Sequence, residues 1–204
     1  MLKQTFIQLI KNYTTDDRLV QQLWEDVENN YSGKKRYYHN LLHLHNLLNL
    51  LHQIKDQIKE WDAILFALYY HDIVYNPLRT NNEDRSAEFA ENKMQLIEVP
   101  KQIISQSVQQ ILATKKHSLS IDNDTNIFTD ADLSILGQEW DLYSEYYKKV
   151  RKEYSLFPDL IYVPGRKKVL QHFLQMPRIF KTDFFFEKFE TQAKENLQKE
   201  LDSF

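Results

Sequence analysis

The chain has 204 residues, of which 26 are basic and 29 acidic, giving a formal charge of −3, and it contains no cysteine. This length suits one well-filled core and is most simply a single domain over 1–204, while the near-balanced charge offers no basic field that would make nucleic acid an obligatory partner. Lack of cysteine excludes disulfides, thiolate nucleophiles and zinc-finger sites together; with no signal-peptide pattern and no apolar run near the ~20 residues that span a bilayer, the expectation is a cytoplasmic protein without a membrane partner.

Three glycines and five prolines leave few turns for a many-stranded sheet, and the long segments rich in Leu, Ile, Lys, Glu and Gln predict an all-α helical bundle. Phe6, Leu9, Ile10 and Tyr13 outline a first short helix. Thr15, Asp16 or Asp17 can cap a second, with Leu19, Val20, Leu23, Trp24 and Val27 on its inner face. The pattern predicts a helix over 38–59, then one over 62–74 so apolar that it belongs at the centre, ending in His71-Asp72 and closed by Pro77. After the loop NPLRTNNED come helices over 85–97 and, opened by Pro100, onward to His117. HSLSIDNDTN reads as the most loop-like stretch, and three further helices are expected over 138–154, 159–174 and 183–201. Tyr143, Tyr146, Tyr147 and Tyr154, with the run Phe184 to Phe186, suit a core and, less often, an oligomerisation face; the oligomeric state is left open.

His39, His43, His71-Asp72 and Asp132 are the residues from which chemistry can be read. Imidazoles and carboxylates form a hard ligand set for Mn²⁺, Fe²⁺, Co²⁺, Ni²⁺ or Zn²⁺, or for Mg²⁺ where water fills the remaining positions. On a helix, His39 and His43 would share one face. A carboxylate at the end of so apolar a helix costs several kcal/mol to desolvate unless it is paired or bound to a cation, and coordination is the simplest compensation. Asp130 and Asp132 lie roughly 200° apart around a helix, so one ion takes only one of them. His45, His52 and His172 read as solvated or packing residues.

YHNLLH at 38–43, YYHDIVY at 69–75, ILATKKH at 111–117 and DADLSIL at 130–136, in that order, resemble the HD-domain superfamily of metal-dependent phosphohydrolases. The likeness is strongest to a stand-alone bacterial family of predicted HD phosphohydrolases. Its pattern is met by Arg36 to His39, His71-Asp72, Asn82 to Ala87, Ala113 to His117 and Asp130 to Leu133, with a further likeness over 162–180. A more distant similarity is to cyclic-nucleotide phosphodiesterases, whose longer catalytic domains place a base-clamping glutamine in a C-terminal region with no counterpart here.

The resemblance implies His43, His71, Asp72 and Asp132 as ligands of a divalent metal cofactor, with His39 as general acid and Asp72 or Asp132 helping to orient the attacking water. It also brings in His117 and Glu83, the latter to hold a water or a histidine, or else to cap its helix; Ser86 belongs to the same phrase. The implied activity is hydrolysis of a phosphate ester, with a nucleotide or related small phosphorylated metabolite as substrate. Arg79, Arg85, Lys115 and Lys116 stand beside the motifs, where they can meet phosphate charge or only water. The alternative is a metal-containing module that binds a phosphorylated ligand without turnover.

Overall fold

The computed structural model describes residues 1–204 as ten α-helices and two short 3₁₀ turns, with no strand. The expected all-α class is therefore what the chain adopts. Its residues gather into two compact units, 1–129 and 130–204. No helix is long and apolar enough to cross a membrane.

The first unit holds α1 (Leu2–Lys11), α2 (Asp17–Tyr31), α3 (Leu41–Gln53), α4 (Trp61–Tyr70), α5 (Asn82–Leu96), α6 (Lys101–Ala113) and the start of α7 (Asn123–Leu133). Its hub is α4, which packs against α1, α3, α5 and α6. Every residue from Ala63 to Tyr70 is buried, as a helix that is apolar on all sides requires. From α1, the Phe6 ring sits edge-on to Tyr69 with centroids 4.8 Å apart and tilts against Trp24 at 5.7 Å. Ser107 of α6 donates to the Ala63 carbonyl at 3.0 Å.

Both ends of α4 are held from elsewhere in this unit. Glu60 provides no side-chain cap. Instead the Asp124 carboxylate accepts the Lys59 amide at 3.1 Å and the Glu60 amide at 2.8 Å, placing an anion at the positive end of the helix. At the far end Arg36 donates to the carbonyls of Asp72 and Ile73.

The second unit contains the end of α7, a 3₁₀ turn (Ser134–Gly137), α8 (Trp140–Glu153), α9 (Asp159–Gln175) and α10 (Asp183–Asp202). Here α10 packs on the 3₁₀ turn and on α9. At Gly137 the approach is so close that a Cβ would lie 2.5 Å from the Cβ and carbonyl oxygen of Phe189. The buried Glu200 carboxylate accepts two hydrogen bonds from Arg166, at 2.7 and 2.8 Å, and one from the Tyr143 hydroxyl. Tyr143 and Phe185 thus belong to the core of this unit.

Two expected helices and one expected loop change on folding. The one expected over 38–59 starts at Leu41, because Asn40 is extended and its side chain accepts the Leu42 amide as an N-cap. The one expected over 62–74 ends at Tyr70, with His71 as its C-cap. The polar stretch expected as loop is helical from Asn123, after Asp122 accepts both the amide and the hydroxyl of Thr125.

Candidate metal centre

His71 closes α4, and its backbone amide donates to Ala67 at 2.8 Å. Its ring is almost fully enclosed, 1% exposed, with Nδ1 3.0 Å from the Leu68 carbonyl. A carbonyl only accepts, so Nδ1 carries the hydrogen and, in the neutral ring, Nε2 presents a lone pair. That Nε2 lies 3.2 Å from Nε2 of buried His43 on α3 and 3.2 Å from Oδ2 of Asp72. If His43 supplies a proton to the first pair, the Asp72 oxygen still faces the His71 lone pair. A cation held among these atoms would offset the cost of keeping them from water. A ring whose second nitrogen is committed to a backbone carbonyl is also the arrangement that orients metal-binding histidines. Imidazole nitrogen and carboxylate oxygen are both atoms that ligate metal ions.

His39 approaches from the other side of Asp72, its Nε2 3.9 Å from Oδ2, a separation for charge attraction rather than a hydrogen bond. It precedes the Asn40 cap and so is not on α3. The shared-face argument for His39 and His43 does not apply, yet their rings still come within 6.0 Å, because the turn before α3 folds His39 inward. The Tyr75 ring lies 4.4 Å from His39, tilted 31°, and Tyr38 stands 5.0 Å from His39 and 5.1 Å from His43. Phe128 meets the His71 ring edge-on at 5.7 Å.

Of the other expected residues, Asp132 lies on α7, four residues and hence one turn beyond Phe128 on the same helix face. His43 and His71 belong to the first unit and Asp132 to the second. Asp130 is wholly buried and fully committed: it accepts from the backbone amides of Lys181 and Thr182, the Thr182 hydroxyl and the Lys181 ammonium. It is thus the cap of the segment leading into α10. Burial pushes the Lys181 ammonium pKa down, and the neighbouring Asp130 carboxylate opposes that shift. His117 follows α6 in the left-handed region at φ 49°, uncommon for a residue with a Cβ. Glu83 is half-buried in the first turn of α5, where its charge acts on Lys115, itself paired with Asp84 at 2.6 Å.

Ser86 and Asn82 brace the turn-rich segment after Asp72. Ser86 Oγ accepts from the Val74 amide and donates to its carbonyl, and the Asn82 side chain accepts from the Asn76 amide and donates to its carbonyl. Arg36 and Tyr75 stand within the motif phrases, and their letters alone assign neither a role. The signal available was their position, three residues before His39 and three after Asp72, in segments too short to hold themselves in place. His45 hydrogen-bonds with Asn49 at 3.1 Å, and His52 packs on Trp61 with centroids 5.2 Å apart. No family model, curated protein or solved structure matches the chain.

Proposed function

We propose that this chain is a divalent-metal-dependent phosphohydrolase acting on a small phosphorylated substrate of nucleotide type, with His43, His71, Asp72 and Asp132 holding the ion. The observation that carries this reading is the His71 Nε2 atom set 3.2 Å from both His43 Nε2 and Asp72 Oδ2 while Nδ1 lies 3.0 Å from the Leu68 carbonyl. The resemblance of the motif phrases at 38–43, 69–75, 111–117 and 130–136 to HD phosphohydrolases supplies the reaction class. A bound divalent ion would contribute Lewis acidity, polarising a phosphoryl oxygen and lowering the pKa of water at neutral pH.

The protein's own part is to place a proton and exclude bulk solvent. His39, 20% exposed at its side chain, is the one histidine of the three that reaches toward solvent, as a donor to a departing oxygen must. Tyr75 and Tyr38 flank its ring and limit its swing. Asp72, between His39 and His71, helps to orient the attacking water and attracts a protonated His39.

Elemental analysis after Mn²⁺ incubation and desalting tests the site, with native protein and His71→Ala side by side, followed by a screen of phosphomonoesters, nucleotides and cyclic nucleotides. The expected result is near-stoichiometric metal in the native protein, loss in the variant, and turnover that fails in His39→Asn although metal is kept. Metal without turnover on any phosphate ester would move the reading to a binding module; no metal in the native protein would remove both.

A further inference from the structure

We propose that Arg36 is a positioning residue for the Asp72 ligand, bracing it against the segment that carries His39; the inference rests on the metal-site reading above. Its guanidinium donates from Nη1 to the Asp72 carbonyl at 2.6 Å and the His39 carbonyl at 3.2 Å, and from Nη2 to the Ile73 carbonyl at 2.8 Å. These oxygens belong to two segments more than thirty residues apart, each bearing one partner of the His39–Asp72 pair.

The need for such a group follows from where Asp72 stands. Helix α4 has ended at Tyr70, so the carbonyls beyond it have no intrahelical donors, and a cation at that negative helix end is favoured. Five carbonyls around the helix end have donors: Ala67 the His71 amide, Leu68 the His71 ring, Tyr70 the Ile73 amide, and Asp72 and Ile73 Arg36. The Asp72 amide in turn donates to the Tyr31 hydroxyl at 3.1 Å. Hence both the amide and the carbonyl of Asp72 are fixed by side chains, and those side chains stack on one another, the guanidinium carbon 4.8 Å from the Tyr31 ring centroid. Its distance to the Tyr75 ring, which covers His39, is 5.4 Å. A planar fork close to two aromatic rings fits arginine and not lysine, whose single ammonium cannot span three carbonyls in fixed directions.

The test is a double-mutant cycle on Mn²⁺ affinity, measured on the full chain from the free-ion resonance signal, with Arg36→Lys, Asp72→Asn, and both together. Thermal melts followed by circular dichroism report that each variant is folded. Arg36→Lys is expected to weaken Mn²⁺ binding about tenfold or more, the scale found when groups supporting a ligand are removed. In the Asp72→Asn background it is expected to add less than about twofold, because the ligand it positions is already gone. Equal factors in both backgrounds, or native affinity in Arg36→Lys, would overturn the assignment. Arg36→Gln, which keeps a planar donor group, runs in parallel under the same criterion and serves if the lysine variant does not fold. Absence of Mn²⁺ binding by the native protein is a separate outcome that removes the metal site itself, and this role with it.

Discussion

Ser86 Oγ stands 3.1 Å from the nitrogen and 3.3 Å from the oxygen of Val74, so a single buried hydroxyl satisfies both backbone groups of a residue two positions after Asp72. Ser86→Ala removes acceptor and donor at once. The expected loss is about 1–3 kcal/mol of unfolding free energy, the usual cost of polar groups left unpaired, read from the midpoint of urea denaturation at unchanged slope. A variant as stable as the native protein would mean that water replaces the hydroxyl.

Removal of metal should soften the first unit. If the ion is held by His43, His71 and Asp72, chelation lowers the melting temperature of the native protein and leaves that of His71→Ala where it was. At a metal concentration about 100 times Kd the difference corresponds to about 2.7 kcal/mol. Equal melting with and without chelator in the native protein would count against the site.

Gly137→Ala is expected to destabilise the second unit, by about 1–3 kcal/mol or more on the scale of overpacking. The new Cβ would meet Phe189 backbone atoms at 2.5 and 2.8 Å, and backbone of a helix cannot swing aside as a side-chain tip can. Differential scanning calorimetry of the variant reads the change directly; an unshifted transition would show that α10 can move away from the 3₁₀ turn without cost.

Glu200→Gln leaves the nearly buried Arg166 guanidinium without its counter-charge, and removing one partner of a buried pair costs about 3–5 kcal/mol. The double variant Arg166→Met with Glu200→Gln is expected to recover part of that loss, since no uncompensated charge then remains. Chemical denaturation of Glu200→Gln, Arg166→Met and the double variant decides it: simple additivity would mean that the pair does not act as a unit.

Alkaline pH attacks the same unit through its tyrosines. Burial raises the Tyr162 hydroxyl pKa to about 12, and burial with the Glu200 carboxylate raises that of Tyr143 further. The folded state favours the neutral phenol, so this stabilisation is fully present below the unfolded value near 10 and is lost as pH rises from there through the folded values. Melting temperature should therefore fall above pH 10, with phenolate absorbance rising together with unfolding; a melting temperature constant up to pH 12 would contradict it.

How far the sequence discloses this molecule depends on which force sets each feature. Helices built on apolar spacing are legible: α4 and its burial follow from AILFALYY, and Asp16 caps α2 by accepting from Arg18 and Leu19. The ends governed by distant partners are not. α4 stops at Tyr70 where Arg36 and Ser86 take over the backbone groups beyond it, and nothing local to IVY says so. Asn123 to Asn126 look like a loop because they are polar, yet Asp124, Thr125 and Asn126 are buried, with Asp124 serving the start of α4 from sixty-four residues away. In the candidate site, the residue types at His43, His71 and Asp72 were readable, while the route that brings His39 beside them was not, since the Asn40 cap takes it off the helix.

The capping of Asp130 by Lys181 and Thr182 has a consequence for the order in which the protein can be finished on the ribosome. A nascent chain that has reached residue 180 already carries Asp130, Tyr143 and Arg166, but the groups that satisfy them, at positions 181, 182 and 200, have yet to be made. The polar clamps of the first unit, Ser86 to Val74 and Asp124 to Glu60, are complete once residue 124 has emerged. Synthesis thus separates the two units in time: the early one can lock its buried amides while translation continues, and the late one can bury Asp130 and Arg166 only once the segments that pair with them have left the tunnel.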